Sequence, residues 1–159
     1  MNTLEFSWNV PDGKMFAARQ WAPSEAPRAV VVLVHGLGEH GERYTHVAEA
    51  FTQAGLAVLN FDLRGHGKTP GPRGHAPSYS VIADDILSFV DEARKRYPGL
   101  PVFLYGHSLG GALVLYTALK RKPDLAGIIV TSPGLATGNP VTPGTLRLAR
   151  FMSKVAPAF

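Results

Sequence analysis

A serine lies at the centre of Gly106-His107-Ser108-Leu109-Gly110, which has the G-x-S-x-G spacing of a nucleophile elbow. Such an elbow joins a strand to a helix and raises the serine hydroxyl above the end of a sheet. Glycines are expected at 106 and 110 because side chains there would collide with the neighbouring strand and helix. The pattern predicts that Ser108 acts as a nucleophile in a strained backbone conformation.

Two backbone N–H groups are candidates for stabilising the negative charge that develops on an attacked carbonyl oxygen. The N–H of Leu109 lies at the start of a predicted helix, where the helix dipole favours an anion. The second candidate is the N–H of Leu37, in a loop that follows another predicted strand. His35 and Gly36 precede it, and we expect them to shape this loop and leave room for its approach to Ser108.

A competing glycine pattern covers the same loop. Gly36, Gly38 and Gly41 match G-x-G-x-x-G between a strand and a helix, and Asp62 closes the next predicted strand. This is the spacing of a dinucleotide-binding fingerprint. However, Glu39 would lie in the loop that cradles the pyrophosphate, where one anion repels another. A nucleotide-binding protein remains the weaker alternative.

The other candidate groups indicate neither a cofactor nor a metal. The segment Gly65-His66-Gly67-Lys68-Thr69 ends like a phosphate-binding loop, but an acid occupies the position of that motif's first glycine. The acids and histidines between positions 39 and 46 do not have the H-E-x-x-H spacing of a zinc site. The absence of cysteine excludes a thiolate site and a cysteine nucleophile.

Composition excludes several classes of protein. The 159 residues are 45% hydrophobic and 18% charged, which is typical of a globular domain and not of a disordered or coiled-coil chain. Of the net charge of +4, three positive charges lie in the last 27 residues, at Arg147, Arg150 and Lys154. No basic stripe with exposed aromatic residues is evident, so we expect no nucleic-acid partner. No apolar run approaches the ~20 residues of a membrane span, and we expect a cytoplasmic protein.

Four apolar segments share the pattern of strands that are buried on both faces of a parallel sheet. They are residues 29–34, 56–61, 102–105 and 127–130. Helical periodicity lies between and after them. The predicted helices are residues 44–54, 81–97 and 109–122, and an amphipathic one at 145–156. An opening hairpin is predicted at 4–8 and 15–21. This alternation predicts a doubly wound, mostly parallel α/β sheet.

With these residues in hand, the chain resembles the monoacylglycerol lipase and lysophospholipase type of serine hydrolase in the α/β-hydrolase superfamily. Four motifs carry the resemblance in order along nearly the whole chain. They are HGLGEH at 35–40 with Arg43-Tyr44, FDLRGHG at 61–67, GHSLGG at 106–111, and Ser132-Pro133. The resemblance implies hydrolysis of a lipid ester with a single acyl chain, without a cofactor.

The resemblance also implies how the chain is divided. Residues 1–134 would form the N-terminal part of the hydrolase core, and residues 135–159 a linker and the start of a cap. We expect the helix at 145–156 to begin this cap and to provide peripheral contact with a membrane. The strand at 127–130, internal in the family's sheet, becomes an edge here. We expect the remainder of the protein, a second copy or the C-terminal helix to cover it.

The sequence departs from the family after the nucleophile. The superfamily's catalytic acid and histidine follow the serine along the chain, but only Asp124 and no histidine follow Ser108. We expect Asp124 at the opposite end of the sheet, and none of the six histidines, at 35, 40, 46, 66, 75 and 107, as the base. The triad acid and histidine are thus predicted to be absent, and the chain alone inactive. A non-catalytic binding or scaffold module with this fold is the main alternative.

Overall fold

The computed structural model describes residues 1–10, 12–136 and 141–156. The described residues form one six-stranded sheet with the order β1-β2-β4-β3-β5-β6. The strands are β1 Asn2–Asn9, β2 Met15–Ala22, β3 Ala29–Val34, β4 Leu56–Phe61, β5 Val102–His107 and β6 Gly127–Thr131. The first two strands form an antiparallel hairpin, and β2 pairs antiparallel with β4. The other pairs are parallel, so the predicted doubly wound, mostly parallel sheet is confirmed.

Helices connect the parallel strands and cover both faces of the sheet. They are α1 Thr45–Gln53, α2 Tyr79–Arg96 and α3 Leu109–Arg121, and a fourth helix, α4 Pro143–Val155, follows β6. Every residue of β3 is buried, which explains why this strand is continuously apolar instead of alternating. On the face that packs against α2 and α3, aromatic rings form a contiguous cluster. It contains Trp8, Phe16, Phe61 and Phe89. On the other face, which packs against α1, a second cluster contains Trp21, Leu33, Ala48 and Tyr105.

Three helix starts differ from their predicted positions, and polar caps define two of them. The Ser78 hydroxyl accepts the N–H of Val81, so α2 begins two residues earlier than its apolar periodicity indicates. Thr142 caps α4 in the same way, and Pro143 occupies its first turn. The predicted helix at 44–54 is a 3₁₀ turn over Gly41–Tyr44 followed by α1. These polar caps lie outside the apolar pattern that defines each helix.

Two apolar surfaces remain uncovered within the described residues. The edge strand β6 leaves Ile128 43% exposed. The amphipathic helix predicted at 145–156 is present as α4, but none of its residues is buried. Its exposed apolar side chains are Leu146, Leu148, Phe151, Met152 and Val155. Part of the predicted linker, residues 137–140, lies outside the described residues, as does Pro11 of the predicted hairpin turn. Among the described helices, none is long and apolar enough to cross a bilayer.

Candidate active site

Ser108 occupies a sharp turn between β5 and α3. Its backbone has φ 53° and ψ −119°, a left-handed conformation that residues other than glycine rarely adopt. A Cβ atom built at Gly106 would lie 2.4 Å from the carbonyl oxygen of Gly110. A Cβ atom at Gly110 would lie 2.2 Å from the carbonyl oxygen of Val34. Because these neighbours are backbone atoms, the tight turn has no room for a side chain at either position.

The two candidate oxyanion donors border this turn. The N–H of Leu109 belongs to the first turn of α3, and no described residue accepts a hydrogen bond from it. The N–H of Leu37 likewise has no acceptor among the described residues, and it follows β3 outside the strand ladder. The loop passes close to the nucleophile, since a Cβ atom built at Gly36 would lie 3.3 Å from the Cβ of Ser108. That both N–H groups converge on one oxygen remains a prediction.

His35 joins the loop after β3 to the loop after β4. Its Nδ1 lies 2.7 Å from the carbonyl oxygen of Gly36, and its Nε2 accepts the N–H of Leu63 at 2.9 Å. Nε2 therefore carries no proton, and Nδ1–H is the donor to Gly36. The side chain is 0% exposed, and burial lowers its pKa to about 4. Because both ring nitrogens are engaged, His35 positions the loop and is not available as a general base.

Glu39 folds back onto the start of the same loop. One carboxylate oxygen accepts the N–H of Gly36 and the hydroxyl of Tyr44, each at 2.5 Å. Burial opposes the charge, but the Tyr44 and Gly36 hydrogen bonds outweigh it and hold the pKa of Glu39 below its usual value. Since the Gly36 N–H is bound to this carboxylate, the Leu37 N–H is the next one in the loop that is free to bind a ligand.

Asp62 ties the two loops to the hairpin from a fully buried position. Its carboxylate accepts the N–H groups of Gly41 and Lys68, each at 2.8 Å, and pairs with buried Arg19 at 3.1 Å. Burial works against the charged form, but these partners lower the pKa of Asp62. Because this carboxylate is enclosed and already has three partners, it does not reach a ribose hydroxyl. The nucleotide-binding alternative therefore lacks the acidic residue that its fingerprint requires.

Among His35, His40, His46, His66 and His107, none forms a hydrogen bond with the Ser108 hydroxyl. His66 and His107 use Nδ1 for the carbonyl of Arg64 and the hydroxyl of Thr131, at 2.8 and 3.0 Å. Asp124 precedes β6, whereas Ser108 follows β5, and the two strands are parallel. Asp124 therefore lies at the opposite end of the sheet from Ser108. Within the described part of the chain, no cluster of acids and histidines could hold a metal ion.

A cavity of about 400 Å³ opens beside the elbow. It is lined by Tyr105, His107 and Thr131, and the Thr131 hydroxyl lies 3.0 Å from Nδ1 of His107 and 3.1 Å from the hydroxyl of Tyr105. The remaining lining residues are Glu39, Arg43, Tyr44, His46 and Val47. The cavity therefore places several hydrogen-bonding groups between the loop after β3 and the residue that precedes the nucleophile.

The spacing of motifs did not identify three of these roles. The motifs present Glu39 as an anion that repels a phosphate, as part of HGLGEH and as one of the acids without zinc-site spacing. They present Asp62 as the acid of a nucleotide fingerprint, as part of FDLRGHG and as the acid in place of a phosphate-loop glycine. Neither pattern assigns them a hydrogen-bonding role in the loops. Ser132, which also has a left-handed backbone with φ 45°, was noted only as part of a Ser-Pro pair. The proximity of an acid to unpaired loop N–H groups is the signal that indicates the first two roles.

The chain is similar to known proteins over nearly its whole length. A family model described as serine aminopeptidase, S33, matches residues 25–159. Human monoglyceride lipase is 38% identical over 148 residues, which are 92% of this chain and 48% of that protein.

Two solved structures share the fold. A Bacillus coagulans carboxyl esterase superimposes with a TM-score of 0.79 at 30% identity, over 98% of this chain and 51% of its own. The monoacylglycerol lipase of Paleococcus ferrophilus superimposes with a TM-score of 0.72 at 34% identity, over 99% and 53%. The predicted α/β-hydrolase type of sheet is thereby confirmed. This chain spans about half the length of each of these proteins.

Proposed function

This chain belongs to the serine aminopeptidase S33 family, and from that premise we propose that the full-length protein hydrolyses carboxylic esters with a single long acyl chain, such as monoacylglycerols. The observation that carries the proposal is the strained Ser108 at the head of α3, beside two unbonded N–H groups. The monoacylglycerol lipases and the esterase among the similar proteins support an ester over a peptide substrate.

In the proposed reaction, the Ser108 Oγ attacks the ester carbonyl carbon, and a new C–O bond forms as the hydroxyl proton passes to a histidine. The carbonyl oxygen becomes an oxyanion, which the N–H groups of Leu37 and Leu109 stabilise. The bond to the alcohol then breaks, and the histidine returns the proton to the leaving oxygen. Water hydrolyses the acyl-serine and releases the fatty acid. The histidine and its acid come from residues beyond this chain, so residues 1–159 alone produce essentially no turnover.

Hydrogen-bonding groups in the cavity beside the elbow support an alcohol leaving group with several hydroxyls. Glu39 and Arg43 carry opposite charges, and the Tyr44 hydroxyl, whose proton is bound to Glu39, can still accept a hydrogen bond. Such a lining suits glycerol and would leave polar atoms unpaired against an apolar alcohol. We therefore propose that this cavity receives the glycerol part of a monoacylglycerol.

The domain division belongs to the same proposal. Residues 1–134 form the N-terminal part of the catalytic core, and residues 135–159 lead into a cap whose first helix is α4. The unburied apolar face of α4 and the half-exposed edge of β6 support this division, because both need a partner surface. The partner of β6 is the remainder of the protein, and a second copy is the alternative.

The test compares full-length protein, Ser108→Ala and the matched control Ser24→Ala, which changes an exposed serine in the loop before β3. Turnover of a long-chain monoacylglycerol is expected to fall at least ~10³-fold in Ser108→Ala and to stay unchanged in Ser24→Ala. A fluorophosphonate probe is expected to label the parent and the control only.

Three results would contradict the proposal. Full turnover by Ser108→Ala would exclude the nucleophile. Hydrolysis of an amino-acid anilide in preference to the ester would replace the substrate class by a peptide. Binding of the monoacylglycerol without turnover by the parent would identify a non-catalytic binding module.

A further inference from the structure

A second left-handed residue lies close to the nucleophile. Within the described ranges, the residues other than glycine with positive φ are Ser108, Lys122 and Ser132. Lys122 caps the C-terminus of α3, where this conformation is common. Ser132 ends no helix, because it follows β6 directly. Its backbone strain therefore needs another explanation.

The turn at Ser132 brings two backbone groups to the nucleophile. The N–H of Ser108 donates to the carbonyl of Thr131 at 3.0 Å, which extends the parallel pairing of β5 and β6 by one hydrogen bond. The chain then turns at Ser132, and the N–H of Gly134 returns to the carbonyl of Ser108 at 3.1 Å. An extended Ser132 would continue the direction of β6 and carry Gly134 away from Ser108.

These two bonds hold both peptide groups that flank the Ser108 side chain. The Ser108 carbonyl also accepts the N–H of Ala112 at 3.1 Å, which is the ordinary first bond of α3. The helix alone does not impose a positive φ on its preceding residue. A strained conformation persists only where its surroundings determine it on several sides, and residues 131–134 supply two of those restraints.

The return of the chain to Ser108 depends on the backbone conformation of Ser132 and not on its side chain. The side chain is exposed, and no described residue forms a hydrogen bond with its hydroxyl. Pro133 adds a packing contact, since a Cβ atom built at Gly111 would lie 3.3 Å from the Cα of Pro133. The segment therefore contacts the elbow through main-chain atoms and one ring.

We propose that Ser132 is a positioning residue for the nucleophile. Its left-handed turn closes a clamp, defined as residues 131–134, that holds the Ser108 backbone and so aims the hydroxyl at the substrate carbonyl. The inference rests on the proposed function, in which Ser108 is the nucleophile, and adds a residue that does not touch the substrate.

The test uses full-length protein and residue types that differ in their tolerance of a left-handed backbone. Asn adopts this conformation several times more readily than other residues with a side chain, whereas β-branched Val is a genuine outlier there. Ser132→Val is expected to lower kcat for the monoacylglycerol about 100-fold, the loss that follows a misplacement of about 1 Å. KM is expected to stay within twofold, because the binding surfaces are unchanged. Ser132→Asn is expected to restore kcat.

The matched control is Ala136→Val, which adds the same side chain at an exposed position without positive φ in the same segment. It is expected to keep the parent's kcat. Gly134→Pro removes the N–H that donates to the Ser108 carbonyl. It is expected to lower kcat as much as Ser132→Val does. Parent-like turnover in Ser132→Val, or equal losses in Ser132→Asn and Ser132→Val, would overturn the clamp.

Hydrogen exchange at the Ser108 amide tests the clamp independently of the proposed function. The Ser108 amide is expected to exchange at least tenfold faster in Ser132→Val than in the parent, with α2 amides unchanged as a measure of folding. This readout needs no turnover, so it tests the clamp even if Ser108→Ala shows that another residue is the nucleophile. Unchanged exchange at Ser108 in a folded Ser132→Val protein would refute the proposal.

Discussion

Acidification tests the buried bridge that His35 forms between the two loops. In the folded protein the pKa of His35 falls from its ordinary 6.5 to about 4, because burial of the ring disfavours the charged form and outweighs the hydrogen bond to Gly36, which favours it. The unfolded chain therefore binds a proton in a range where the folded protein does not. Stability contributed by neutral His35 is fully present above pH 6.5, declines as the pH falls and is lost by about pH 4.

The size of the effect follows from the shift. A difference of roughly two and a half in pKa, at about 1.4 kcal/mol for each unit, corresponds to a total of about 3.5 kcal/mol. About 2 kcal/mol of this is expected between pH 6.5 and 5, above the range in which Glu39 and Asp62 become protonated. Their lowered pKa values place their own losses at lower pH.

Urea unfolding at a series of pH values between 5 and 7.5 measures this loss. His35→Gln is expected to be less stable than the parent at pH 7.5, because it disturbs two buried hydrogen bonds, and to lose less stability on acidification. His46→Gln changes an exposed side chain on α1 and is expected to retain the parent's pH dependence. An identical pH dependence in His35→Gln and the parent would refute the assignment of His35 as a buried neutral bridge.

Two substitutions test the packing around the site by urea unfolding. Gly110→Ala is expected to lower the free energy of unfolding by about 3 kcal/mol or more, because its Cβ would meet the carbonyl oxygens of Val34 and His35 at 2.2 and 2.6 Å. Its control, Gly144→Ala in exposed α4, is expected to cost nothing. Equal stabilities of the two variants would contradict the steric argument. Asp62→Asn is expected to cost about 3 kcal/mol, because it removes the closest carboxylate of buried Arg19 and places an amide against N–H donors. Its control, Asp91→Asn, breaks an exposed pair with Arg94 and is expected to cost less than about 1 kcal/mol. Similar losses of unfolding free energy in Asp62→Asn and Asp91→Asn would show that the buried Asp62 carboxylate does not stabilise the fold through its partners.

The sequence by itself was sufficient to predict the sheet, the crossover helices and the elbow. Residues 29–34 are apolar without interruption, short and rich in β-branched valine, which is typical of a strand that is covered on both faces. Gly106 was predictable for a similar reason, because its Cβ would meet the Gly110 carbonyl within the strand-to-helix turn itself, whereas a Cβ at Gly110 would meet the carbonyl of Val34 in β3. Such features depend on neighbours along the chain, so spacing and residue type determine them.

Only the tertiary structure decided what holds the nucleophile and its loops in place. Asp62 reaches Gly41 across 21 residues of chain, and His35 reaches Leu63 across 28. Ser108 and Gly134 meet because β5 and β6 end at the same edge of the sheet and the chain turns back at Ser132. These contacts depend on where loops from separate strands converge, and on which backbone groups remain unpaired there. Periodicity and motif spacing carry no information about that convergence, because it is set by the order and register of the strands.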